Sequence, residues 1–206
     1  IKVIAGPEKK ARVITEKERK LTAYHEAGHA VITKLLPTQN PVHQVSIIPR
    51  GRAGGYTLSL PKDDKYYASK TDMNEEIITL LGGRVAEKLA LDDISTGASN
   101  DIERATSIAR NMVVKYGMSD TLGSMTFGSA HSEVFIGRDY AQQTRDYSEN
   151  VAAAIDAEMK AIIDNAYDRC SDLLNRNILK LHAVANALLE KEKINSDEFE
   201  EIFATA

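Results

Sequence analysis

A single cysteine, Cys170, occurs in the 206 residues. No intrachain disulfide can form, and a cysteine-based zinc site is excluded. Cys170 itself reads as a small core residue. No stretch reaches the roughly 20 apolar residues that a membrane-spanning helix needs, and no secretory leader opens the chain. Surplus positive charge is missing too. Lys and Arg number 26 against 30 Asp and Glu, a formal net charge of −4. Nucleic-acid binders usually carry a basic stripe, so no nucleic acid is expected as a partner. There is no internal repeat, no low-complexity tract and no G-x-x-x-x-G-K-[ST] phosphate loop. If ATP serves this protein, its site lies outside these residues.

What is present is ordinary for a globular domain: 43% apolar and 27% charged residues, in a chain long enough for one large domain or two small ones. The first residue is Ile1, and residues 1–14 read as a connector from something upstream. Thr15 and Glu18 then form a capping-box pattern, and Pro37 stops the helix that follows, giving an expected helix over 15–36. Its buried stripe is expected at Leu21, Tyr24, Gly28, Val31 and Leu35. Strand-like runs at 45–48 and 56–60 flank a turn-rich stretch, 49–55, and predict a hairpin with a long tip. Further helices are expected over about 71–91, 98–116, 140–175, 177–191 and 196–203. Gly82 and Gly83 fall inside the second helix, at a cost of about 1 kcal/mol each relative to Ala, which close packing would justify. The fold class is therefore mainly α, with one small β element.

His25-Glu26-Ala27-Gly28-His29 is the sharpest feature. Positions i and i+4 of a helix differ by about 40° of rotation and one turn of rise. Both imidazoles can then reach one metal ion. Glu26, beside His29 on the wheel, is placed to take a proton from water activated by zinc. This is the H-E-x-x-H logic of metalloproteases. Gly28 is expected to let a strand approach closely. A catalytic zinc site usually takes a third protein ligand. His43, His131 and His182 are candidates, each more simply read as an exposed or satisfied histidine. Asp101 lies at the edge of an apolar stripe made by Ala105, Ile108 and Met112. Periodicity alone leaves it level between a metal ligand and a first-turn aspartate favoured by the helix dipole. Glu87, in an apolar helix, is either an acceptor behind a ligand histidine or the partner of Arg84 or Lys88.

At this point the residues resemble a known family. Residues 21–30, Leu-Thr-Ala-Tyr-His-Glu-Ala-Gly-His-Ala, are similar to the active-site helix of the FtsH family of membrane-bound AAA+ zinc proteases. The resemblance extends to residues 3–10, 46–51, 81–87, 95–101 and 134–137, in order along the chain. It implies a helical zinc-peptidase domain over 15–206, joined by 1–14 to an upstream ATPase module. It implies one Zn2+ per chain held by His25, His29 and Asp101, with Glu26 as the catalytic base and Glu87 behind the ligands. ATP would act only through the upstream module. The full-length protein would be a homohexamer, anchored in a bacterial membrane by segments absent here, with this domain on the cytoplasmic side and unfolded polypeptides as substrates. A free edge of the hairpin, at 45–48 or 56–60, would take an extended peptide as an added strand. Two other readings stand beside this one: a zinc hydrolase acting on something other than polypeptide, and a catalytically silent oligomerisation module with a structural metal.

Overall fold

The computed structural model describes residues 15–51, 53–61, 66–128 and 147–206. Helix α1 covers Glu16–Leu35. Its start is fixed reciprocally: Thr15 Oγ1 accepts from the Glu18 amide at 3.2 Å, while Glu18 Oε2 accepts from the Thr15 amide at 3.0 Å. Its end is fixed by Pro37, which holds Leu36 in extended backbone, φ −98° and ψ 124°. From Ala23 to Thr33 all but one of its residues are buried, so α1 is the central helix and not a surface one with a single stripe. Leu21 and Leu35, expected in that stripe, are only partly buried.

Helix α1 packs against α2 (Lys70–Leu91), α5 (Ile178–Lys191) and, less extensively, α4 (Glu149–Arg176), while α3 (Ser99–Val114) lies on α2 and α4, and α6 (Ser196–Thr205) lies on α5. The mainly α class is what the structure has, with one small antiparallel sheet. A second capping box, Ser69 with Asp72, opens α2. The α1–α2 contact is made of small residues. A Cβ on Gly28 would lie 2.6 Å from Ala86 Cβ, and one on Gly82 would lie 3.0 Å from the Gly28 carbonyl oxygen. The two backbones touch there, which justifies Gly82 inside a helix. Gly28 was expected to admit a strand; it admits α2 instead.

The sheet departs from the expected hairpin in two ways. Strand β1 is Val42–Ser46, earlier than the expected 45–48, and pairs with β2 (Tyr56–Ser59) in the register Val45↔Thr57 and Ser46↔Tyr56. A third strand, β3 (Lys193–Asn195), pairs with the other edge of β1, so the order is β2-β1-β3. Ile47 extends that pairing, its amide donating to the Glu192 carbonyl at 2.9 Å. The β1 edge is therefore occupied on both sides, and β2 is the edge strand beside the site. The helix expected over 140–175 begins at Glu149, with the Ser148 hydroxyl as its cap; the expected connector at 1–14, residues 140–146 and the motif residues 134–137 lie outside the described residues.

Candidate metal centre

His25 and His29 project one turn apart from the buried middle of α1, with their Nε2 atoms 3.1 Å apart. Asp101, in the first turn of α3, places Oδ2 3.4 Å from each of those nitrogens. Among the described residues this is the one group of three histidine, cysteine or acidic side chains whose ligand atoms all lie within 4.8 Å of one another.

Each imidazole is fixed from behind. His25 Nδ1 donates to Glu87 Oε1 at 2.7 Å, and His29 Nδ1 donates to the Thr79 carbonyl at 2.8 Å. With both Nδ1 atoms committed as donors, each ring in its neutral form carries its lone pair on Nε2, and the two Nε2 atoms face each other and Asp101. Gly83 makes room for the His25 ring: a Cβ there would fall 2.6 Å from Nδ1 and 2.7 Å from Nε2. Glu87 is fully buried and bonds twice more, accepting from the Ser95 amide at 2.7 Å and from the Ser95 hydroxyl at 3.1 Å. Ser95 caps the 3-10 turn Thr96–Ala98 that leads into α3. One carboxylate thus ties the histidine helix to the segment that delivers Asp101. Glu87 thus accepts from His25, and Lys88 pairs with Asp92, at 2.7 Å.

Glu26 is buried, 6% exposed, and its Oε2 accepts the Thr57 hydroxyl at 2.9 Å. Burial raises its pKa, while the two histidines and the Thr57 hydrogen bond pull it back only in part. Burial would lower the pKa of His25, but hydrogen bonds to Asp101 and Glu87 and the nearby Glu26 charge outweigh it, and it is pushed up to about 10. Burial would raise that of Asp101, yet the two histidines hold it below the usual carboxylate range. The electrostatic message is common to all of these. The carboxylates of Glu26, Glu87 and Asp101 converge on the two imidazoles, and the site demands positive charge, whether a proton on His25 or a bound cation.

The residues fit a divalent metal. Ligand bonds of about 2.0–2.1 Å in a tetrahedral arrangement put neighbouring ligand atoms roughly 3.3 Å apart, and the three distances here are 3.1, 3.4 and 3.4 Å. Two histidines and a carboxylate form the donor set of a zinc site that keeps a fourth position open. A cleft of about 1310 Å³ reaches this point, lined by residues 53–57 and by Thr96, Gly97 and Arg104 among others.

The remaining histidines sit elsewhere. His43 is exposed on β1. His182 Nδ1 bonds the Tyr24 hydroxyl at 2.9 Å, and His131 lies outside the described residues. Ser95, Thr57 and Thr79 were not singled out as site residues by sequence reasoning, while Gly83 was noted as a helix glycine that close packing would justify, and the His25 ring is what packs there. Ser95 carried a signal as a cap before a helix; the Thr79 contact, made by a backbone carbonyl, carried none.

The family model for peptidase family M41 matches residues 12–202. The chain belongs to peptidase family M41. Among relatives of this M41 chain, a protein of Thermoanaerobacter sp. (strain X514) named ATP-dependent zinc metalloprotease FtsH 1 is 65% identical over 202 residues, 98% of this chain and 33% of that protein. ATP-dependent zinc metalloprotease FtsH of Caldicellulosiruptor bescii is 65% identical over 201 residues, 98% of this chain and 32% of that protein. That of Thermotoga maritima is 47% identical over 204 residues, 98% of this chain and 33% of its own length. The M41 chain spans about a third of the length of these relatives.

Proposed function

We propose that this chain is the peptidase domain of an ATP-dependent zinc metalloprotease, cleaving peptide bonds of unfolded or membrane proteins with water as the attacking group. The observation that carries the proposal is the convergence of His25, His29 and Asp101 to within 3.4 Å of one another in a cleft that also holds the buried carboxylate of Glu26. His25, His29 and Asp101 hold the metal, Glu26 is the general base, and Glu87 orients His25. A zinc ion bound there supplies Lewis acidity, polarising the scissile carbonyl and lowering the pKa of water towards about 7.

The chain's own groups do the rest. Glu26 accepts a proton from the attacking water and returns it to the leaving amine. Glu87 and the Thr79 carbonyl keep both imidazoles in the tautomer that presents Nε2. Strand β2, with no strand on its outer side among the described residues, offers backbone donors and acceptors to an extended chain. Backbone pairing reads little side-chain identity, which suits a protease that handles many sequences.

The names of the relatives, and their threefold greater length, support the wider reading. In the full-length protein an upstream ATPase module unfolds and threads substrates, six copies form a ring, and membrane segments anchor it with this domain on the cytoplasmic side. Digestion of an unstructured fluorogenic peptide by the purified chain, with and without a zinc chelator, tests the core of the proposal. Cleavage that chelation abolishes and zinc restores is expected. Cleavage indifferent to chelation contradicts it, and absence of cleavage by zinc-replete protein points to a structural metal.

A further inference from the structure

Strand β2 does more than border the cleft. Thr57, half-buried in this edge strand, shares its hydroxyl proton between two acceptors of one residue: Glu26 Oε2 at 2.9 Å and the Glu26 backbone carbonyl at 3.2 Å. Among the described residues it is the one hydrogen-bond donor to that buried carboxylate. Two residues earlier, Gly55 lies directly against the Glu26 stem. A Cβ there would fall 2.9 Å from Glu26 Cγ, 2.9 Å from Thr22 Cγ2 and 2.6 Å from the Ser46 carbonyl oxygen. Residues 55–57 therefore set both the surface on which the glutamate stem rests and the bond that fixes the rotation of its carboxylate.

We infer that Thr57 is a positioning residue for peptide hydrolysis. Its hydroxyl occupies Oε2 of Glu26 and leaves Oε1 free to receive the proton of the attacking water. In that step a water O–H bond breaks and an O–H bond forms on Oε1 as the water oxygen bonds the carbonyl carbon, and the proton later passes to the amine nitrogen as the peptide C–N bond breaks, leaving an acid and an amine. A buried carboxylate with one oxygen fixed loses less entropy in reaching the reactive geometry than one free to rotate. The same strand that pairs with an extended substrate thereby also aims the base, so docking and proton transfer share one scaffold. The inference rests on the reading of Glu26 as the general base.

The test compares Thr57→Val, which keeps the shape and removes the hydroxyl, with Thr57→Ser, which keeps the hydroxyl. Both are made in the zinc-replete chain and again on a Glu26→Gln background. Loss of one aligning hydrogen bond to a general base is expected to lower kcat of Thr57→Val about 10- to 100-fold. KM should change less than about 3-fold, and the zinc content should equal that of the parent. Thr57→Ser should recover most of the rate. On the Glu26→Gln background Thr57→Val should cost nothing further, because the group it aims is already disabled. A Thr57→Val enzyme with parental kcat overturns the inference. So does one whose loss tracks missing zinc, or one whose loss persists in full without Glu26. If Thr57→Val does not fold, Thr57→Ala is read the same way. Full activity of Glu26→Gln alone would instead sink the proposed role of Glu26, leaving a distinct signature.

Discussion

His25 is gripped on every side. Glu87 accepts a hydrogen bond from its Nδ1, Gly83 leaves space for its ring, and His29 and Asp101 face its Nε2. Coordination strength at such a site depends on the groups behind the ligands as well as on the ligands. Glu87→Gln keeps an oxygen able to accept from Nδ1 but loses the charge. It is expected to weaken zinc binding by about 10- to 100-fold, read by competition with a chromophoric chelator; unchanged affinity would make Glu87 a bystander. Cys170 shows the opposite kind of burial. It is fully enclosed, and desolvation pushes its thiol pKa well up. A thiolate is the reactive form, so iodoacetamide should leave Cys170 unmodified in the native protein and alkylate it after denaturation, as mass spectrometry would show.

Among the elements, the α1–α2 contact positions both the histidines and Glu87, and it depends on glycines that touch. Gly28→Ala would drive a methyl against Ala86 and should destabilise the fold by about 1–3 kcal/mol. Denaturant unfolding would read this as a lower midpoint at constant slope. Much of this architecture was legible. Capping boxes and Pro37 carry explicit local signals, so α1 begins and ends within a residue of expectation. The H-E-x-x-H spacing points to two imidazoles on one side of a helix, and their Nε2 atoms lie 3.1 Å apart. Periodicity could not decide Asp101, because what brings it to the histidines is a 3-10 turn and a buried bond from Ser95 to Glu87, both products of tertiary packing. Strand β3 escaped notice because its alternation, with only Ile194 buried between Lys193 and Asn195, is three residues long and too short to read. Its presence moved β1 to the sheet centre and left β2 as the edge by the cleft. The Ile47-Ile48 pair drew the strand assignment too far along the chain; Ile47 is bonded to Glu192 instead.

For the whole molecule, the division of labour is the issue. The chain carries a group of three side chains that could hold a metal, and no phosphate loop. Alone, it is expected to cut flexible peptides, to hydrolyse no ATP, and to leave a stably folded protein intact whether or not ATP is added. Phosphate release and gel analysis would check this; ATP-stimulated digestion of a folded protein by these 206 residues would place the unfolding machinery here after all. The central claim is narrower: a metal held by two histidines and an aspartate, worked by a glutamate that is not a ligand. Zinc content and peptide turnover, measured side by side for the parent, Glu26→Gln and His25→Ala, test it most directly. Glu26→Gln should retain about one zinc per chain while turnover falls at least about 100-fold, since an amide cannot take the proton. His25→Ala should lose both. A Glu26→Gln protein that keeps near-parental turnover, or that loses its zinc along with its activity, contradicts the account.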